Sequence, residues 1–104
     1  MEKSSIIWVK DNLKGKHVAE AEQGALLSPK INELYAQVVG CKNQKVEINF
    51  SEIEEISLEF VYQMLEDLEI TEVIQYFLFT EIETEDVLSL LKLALSNLIT
   101  LSNL

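Results

Sequence analysis

The sequence predicts an α/β domain with a central sheet of about four strands, mixed in direction, flanked by about three helices. Three observations predict it. Between residues 45 and 68 the apolar spacing changes from every second position to a helical stripe. Residues 31–39 and 87–101 also repeat at helical spacing. Between the second and third of these segments lies an almost unbroken apolar run, residues 76–79.

The first strand is expected over residues 5–10, SIIWVK. Asn12, Lys14 and Gly15 mark a turn. Residues 16–20 then form a short second strand, pairing back as a hairpin or lying at the sheet edge. Ser28-Pro29 opens the first helix, because serine caps and proline at the first helical position gives up no needed hydrogen bond. A start one turn earlier, near Gln23, is the alternative. Ile31, Leu34, Tyr35, Val38 and Val39 make a core-facing stripe, and Gly40 supplies a C-terminal stop.

In the next segment Val46, Ile48 and Phe50 alternate with Lys45, Glu47 and Asn49, which is a strand signal. A short acidic loop, residues 51–56, follows it. Ser57 suits a helix N-cap, where its hydroxyl accepts a backbone N–H two or three residues on. Glu59 then lies near the positive end of the helix dipole. Phe60, Val61, Met64, Leu65 and Leu68 form one stripe of a helix over 57–68. Residues 72–80 read as a strand buried on both faces, and the crossover through the 57–68 helix makes it parallel to the strand at 45–50.

The last helix starts at Thr84, with Glu85 and Asp86 in its first turn. Val87, Leu88, Leu91, Ala94, Leu95, Leu98, Ile99 and Leu101 form its apolar face. Leu90 and Leu93 widen that face beyond the stripe of about 100° that one core needs. Either the helix is sunk between sheet and neighbours, or Leu90, Leu93, Leu98 and Leu101 contact a second copy in a homodimer.

Length and composition narrow the function classes. At 104 residues the chain is expected to be one domain, burying roughly 65% of its unfolded surface. Cys41 is the only cysteine, so no internal disulfide forms, and a single thiol fits a reducing cytoplasm. The first twelve residues carry no small-residue cleavage site of a signal peptide, and no run of about 18 apolar residues offers a membrane span. Residues 1–45 hold seven lysines and five acids, a net +2, whereas residues 46–104 hold Lys92 and thirteen acids, a net −12. Arginine is absent. Nucleic-acid binders need a basic footprint, and anionic membranes repel this charge. Both partner classes are therefore excluded from the reading.

The segment VEINFSEIEEISLEFVYQML resembles the signature of STAS and STAS-like domains, the fold of anti-sigma-factor antagonists, and most of all the short bacterial STAS-like family of unknown function. In that family a strand leads into "DFS", then a small loop with an apolar anchor, then a Ser-Phe helix start. Here the pattern reads Asn49-Phe50-Ser51, with Ile53 and Ile56 as anchors and Ser57-Leu58-Glu59-Phe60 at the helix start. Upstream, GKHVAEAEQGALLSPKINELYAQ is similar to the family's short strand, glycine and helix. The resemblance covers roughly residues 5 to 100. It implies a cytoplasmic, non-enzymatic module for regulation through protein–protein interaction, whose partner is a GHKL-type serine kinase or an anti-sigma factor. Antagonists switched by phosphorylation carry a serine in the first turn of this helix. Aligned through Phe50-Ser51, that serine falls at Glu59 and the Asp before it falls at Ser57. A fixed carboxylate at Glu59 either mimics the phosphorylated state or marks a chain without the switch.

Residues capable of catalysis are sparse. Cys41 and His17 lack a third group to orient them as a nucleophile pair. The three glycines form no phosphate loop, and neither zinc spacing nor a calcium loop occurs. No catalytic residue, metal or cofactor is expected. What stands out is acid in two loops. Glu52, Glu54, Glu55 and Glu59 crowd one, and Glu81, Glu83, Glu85 and Asp86 crowd the other. Both loops follow strands read as parallel, so both reach the C-terminal edge of the sheet, where α/β folds place their sites. Ser57, Glu59, Glu54 and Glu55 are the expected partner-binding residues, facing a basic protein surface. The bland reading is a solvated face. The alternative function is an acidic nucleic-acid mimic that blocks a DNA- or RNA-binding protein, although these acids crowd loops instead of forming a duplex-like double row.

Overall fold

Val46 and Ile48 are fully buried, and the strand that carries them, β3 (Val46–Asn49), lies in the middle of a three-stranded sheet. The computed structural model describes residues 5–13, 17–41, 44–66, 68 and 74–102. In chain order these form β1 (Ser5–Trp8), β2 (Val18–Ala19), α1 (Ala21–Val38), β3, β4 (Glu55–Ile56), α2 (Leu58–Met64), β5 (Phe77–Thr80) and α3 (Glu85–Ser102). Short 3-10 turns occupy Val9–Asn12 and Ile74–Tyr76. Among the described residues no helix is long and apolar enough to cross a membrane.

The architecture is α/β, but every described strand pair is parallel. The main sheet has the order β1-β3-β5, with Ile7 beside Ile48 and Ile48 beside Phe79. A separate two-stranded sheet pairs β2 with β4, Val18 beside Glu55 and Ala19 beside Ile56. The expected mixed sheet of about four strands is therefore two parallel sheets, and of the two placements read for residues 16–20 the hairpin is not the one seen, since Val18–Ala19 pairs in parallel with β4. The 3-10 turn after β1 carries the chain past the sheet edge instead of folding it back. The chain leaving β3 passes the same edge, and the two short continuations pair with each other.

α1 begins at Ala21, two turns before Ser28-Pro29. Glu20 and Gln23 form a capping box, in which Gln23 Oε1 accepts the Glu20 N–H at 2.9 Å. Gly24, Leu27, Ser28, Ile31 and Val38 are buried along one stripe that runs straight through the proline. Pro29 sits on the exposed side, where its missing N–H costs one intrahelical bond. Ser28 is thus a buried stripe residue instead of the cap. Gly40 stops the helix as its position predicts, with φ of +81°. Val39 is exposed instead of core-facing, and Cys41 beyond it is exposed as well, because the chain has already left the stripe.

α2 starts as the sequence predicts. Ser57 Oγ accepts the Phe60 N–H at 3.0 Å. Phe60, Val61 and Met64 are buried, and the helix is shorter than the expected 57–68, ending at Met64 with a turn through Leu65 and Glu66. The Phe60 ring meets Phe50 edge-on at 6.5 Å, and Phe50 meets Phe79 at 6.3 Å. These rings join helix, strand exit and sheet. α3 is capped by Thr84, whose Oγ1 accepts the Val87 N–H at 3.1 Å. It buries Val87, Leu91 and Ala94. Asn97 donates to the Tyr62 hydroxyl at 2.9 Å, tying α3 to α2.

β5 differs from expectation. Glu72 and Val73 lie outside the described residues, and the strand proper covers four residues. Phe77 is buried, but Leu78 is 44% exposed. β5 is an edge strand, and among the described residues no helix covers the outer sheet face. Ile6, 41% exposed, and Leu78 flank Glu47 in one row of that face. Trp8, Asn49 and Thr80 form the next row. The Glu47 carboxylate accepts Thr80 Oγ1 at 2.7 Å and Asn49 Nδ2 at 3.5 Å, so its charge is held among hydrogen bonds in the centre of the face.

Gly24 is where α1 and α2 meet. A Cβ built there would stand 2.3 Å from the Phe60 carbonyl oxygen and 3.1 Å from Gln63 Cβ and Met64 N. Backbone cannot yield as a side-chain tip can. Gly24→Ala is therefore expected to destabilise the fold by about 1–3 kcal/mol through overpacking, against the roughly 1 kcal/mol that alanine returns in helix propensity. Urea denaturation measures the net change, and a stabilised variant would show that the helices separate freely.

Candidate functional site

Because β3 and β5 are parallel, the segments that leave them emerge side by side. Phe50 N–H donates to the Thr80 carbonyl at 2.9 Å, extending the pairing one residue past the end of β3. Asn49 Oδ1 then accepts Ser51 N–H at 2.8 Å and turns the chain. Two acids next to these exits adopt the left-handed region, Glu52 at φ 65° and Glu81 at φ 54°. Non-glycine residues adopt that conformation only where the surroundings impose it.

For Glu52 the surroundings are plain. Its N–H donates to the Glu83 carboxylate, joining the two acidic loops. Its carboxylate pairs with Lys10 Nζ at 2.7 Å, and that ammonium lies 5.2 Å from the centroid of the Trp8 ring. Its carbonyl oxygen lies 2.9 Å from His17 Nδ1. The backbone completes the clamp. Glu54 N–H and Glu55 N–H both donate to the His17 carbonyl, at 2.8 and 3.3 Å, and Ser57 N–H donates to the Ala19 carbonyl at 3.0 Å. Thr84 Oγ1 reaches the Glu54 carbonyl at 3.5 Å. His17, the only histidine, therefore serves the rim chiefly through its backbone oxygen.

The expected site residues lie along one short segment. Ser57 is half-buried and its hydroxyl is engaged as a cap, while Glu54, Glu55 and Glu59 are exposed. The two loops do meet, and they make two recesses. His17, Glu52, Ile53, Glu54, Glu83 and Thr84 line one of about 320 Å³. Glu55, Ile56, Asp86, Ser89, Leu90 and Leu93 line a cleft of about 380 Å³ between β4 and α3. Of the four leucines expected at a subunit contact, Leu93 is exposed and Leu90 half-buried in this cleft. Leu98 packs against the core. The Leu101 side chain lies outside the described residues.

Lys10 and Glu52 form a pair that sequence reasoning missed, since 42 positions separate them and neither carries a local signal. The hydrogen bond from Lys10, and then its charge, hold the Glu52 carboxyl below the usual carboxylate range. The same hydrogen bond raises Lys10. A carboxyl whose folded value is lowered adds stability above its unfolded value, and that stability is lost as pH falls through the folded value. A raised lysine adds stability below its unfolded value, and loses it as pH rises through the folded one. Among the described residues no three His, Cys, Asp or Glu side chains converge as a metal site. The chain matches no protein-family model, no curated protein and no solved structure.

Two outcomes are expected. Replacing Lys10 with alanine returns the Glu52 carboxyl upward toward the ordinary carboxylate value, which an NMR titration of its side-chain carbon reads directly. No movement would show that the pair does not persist in solution. Glu81→Gly removes a left-handed non-glycine residue whose side chain has no partner among the described residues, and is expected to stabilise the fold by about 0.5–1 kcal/mol. The urea midpoint tests it.

Proposed function

We propose that this chain is a non-enzymatic regulatory binding module of the STAS-like kind, and that it docks a protein partner through the acidic rim and the start of α2. The observation that carries the reading is the joining of the two acidic loops at one sheet edge, with Glu54, Glu55 and Glu59 left exposed beside it. Residues 46–104 carry a single cation, Lys92, and among the described residues the one ion pair is Lys10–Glu52, which leaves these three carboxylates unpaired. A surface of one sign steers an oppositely charged partner and excludes others. The resemblance adds the partner class, a GHKL-type serine kinase or an anti-sigma factor. It also gives Glu59 a role. A carboxylate stands where switched antagonists carry their serine, in a first turn whose cap is already filled by Ser57, so the docking surface is held permanently in its charged form.

The test is charge reversal. The partner is first recovered from the native host by affinity capture and purified. Its affinity is then measured by calorimetry for the wild-type chain and for the combined Glu54→Lys, Glu55→Lys, Glu59→Lys variant. Affinity is expected to fall more than tenfold, with a shallower dependence on salt. An unchanged affinity rejects the rim as the docking surface.

A further inference from the structure

We infer that the cleft between β4 and α3 is a seat for a basic amphipathic helix of a partner protein, an inference that rests on the rim as docking surface and specifies what the partner presents to it. The cleft has an apolar floor and acidic ends. Ile56, buried in β4, and Leu90, half-buried in α3, make the floor. Leu93 rises from it, 49% exposed. Glu55 stands on the β4 wall and Asp86 at the start of α3, both exposed.

The shape follows from the helix. Asp86, Ser89, Leu90 and Leu93 are spaced i, i+3, i+4 and i+7, which is one stripe over two turns and about 10 Å of axis. A volume of about 380 Å³ lies within the range of roughly 300–1,000 Å³ that binding clefts occupy. A groove walled along one side by a helix takes an apolar helix face, read as anchors at i, i+3 and i+4. The one cation of residues 46–104, Lys92, falls outside the stripe.

Charge selects the occupant. A second copy of this chain meeting α3 about a two-fold axis would press the same patch against itself. Glu55 and Asp86 of one copy would then face those of the other, between chains of net charge −10. Like charges set across an interface cost several kcal/mol. A helix with leucine or isoleucine anchors flanked by lysine or arginine covers the same leucines and answers both carboxylates. The arrangement separates two tasks. Carboxylates select by sign and draw the partner in, and the leucines supply the area that holds it.

The probe is a labelled 18-residue peptide with leucines at i, i+3, i+4 and i+7 and lysines elsewhere, followed by fluorescence anisotropy at moderate salt. Controls replace its lysines with glutamate or its leucines with serine. The Leu/Lys peptide is expected to bind, and each control to bind at least tenfold more weakly. Leu93→Asn in the protein is expected to weaken binding about tenfold, the loss of one well-covered leucine contact. Leu26→Asn, at an exposed leucine of α1, is expected to change nothing and so separates the cleft from general stickiness. Circular dichroism confirms that both variants fold. Equal effects of the two substitutions, or equal binding of the glutamate peptide, would overturn the cleft. So would a concentration-dependent dimer in sedimentation that Leu93→Asn converts to monomer. Glu59→Lys lies outside the cleft and separates the two readings in the capture assay. If it weakens partner binding while Leu93→Asn does not, the cleft falls and the rim stands. If neither does, both fall.

Discussion

The contact of the Gly24 backbone with the Phe60 carbonyl sets the position of α2, and most of the rest follows from that position. α1 can approach this closely only because Gly24 presents no Cβ. The approach buries Phe60, Val61 and Met64 from one side while Phe50 covers Phe60 from the other. A helix of seven residues has little stability of its own. It exists because both sides are packed and because Ser57 satisfies a first-turn donor. Its start is therefore a fixed point, and with it the direction in which Glu59 leaves the surface. The same constraint reaches β4, which enters α2 directly through Ser57, and whose pairing with β2 would be lost if α2 moved outward.

The acidic edge is held by backbone, not by counter-charges. Acids dominate residues 46–104 and lysines the first half, yet the loop carrying Glu52, Glu54 and Glu55 is clamped mainly by carbonyls, those of His17, Ala19 and Thr80. Lys10 answers Glu52 alone. Carbonyls hold a loop in place without neutralising it, so the negative potential of Glu54, Glu55 and Glu59 survives folding. Had the rim been stitched by ion pairs, each pair would have removed one charge from the surface it organised. The left-handed Glu52 fits this picture, because a clamp strong enough to order a like-charged loop is also strong enough to impose a costly φ.

What the sequence disclosed was local. The alternation at 46–50, the change of period at Ser57, the caps at Ser57 and Thr84 and the stop at Gly40 each depend on a few neighbouring residues, and each appears in the fold. Of the two starts read for α1, the one near Gln23 lies two residues from the observed Ala21, while Ser28-Pro29 is a loud local signal that does not set the start. The stripe from Gly24 through Leu27 to Ile31 overrides it, since burying several apolar residues outweighs one missing hydrogen bond. β2 and β4 are two residues each, too short to carry any period, so their pairing and the division into two sheets had no sequence signature. Phe77 and Leu78 read alike in a string, and only the uncovered outer face of the sheet separates a buried ring from an exposed leucine. Of the site, the acids and their cap were readable from spacing. Lys10, His17 and the cleft leucines joined it through tertiary contacts between distant residues.

The surplus of leucine in α3 becomes intelligible once its faces are told apart. Val87, Leu91 and Ala94 point into the core, and Leu95, Leu98 and Ile99 pack at its margin. Leu88 and Leu93 remain outside. An exposed leucine alone needs no explanation, since folded surfaces are largely apolar. Leu93 differs because it stands over a cleft floored by Ile56 and Leu90 and bounded by carboxylates. Apolar area attracts any hydrophobic surface, including that of another copy, and on the proposed reading the acid beside it disfavours the copies and the anionic partners. On the proposed reading the cleft and the rim act as one filter, in which the carboxylates narrow by charge what the leucines would otherwise accept without discrimination.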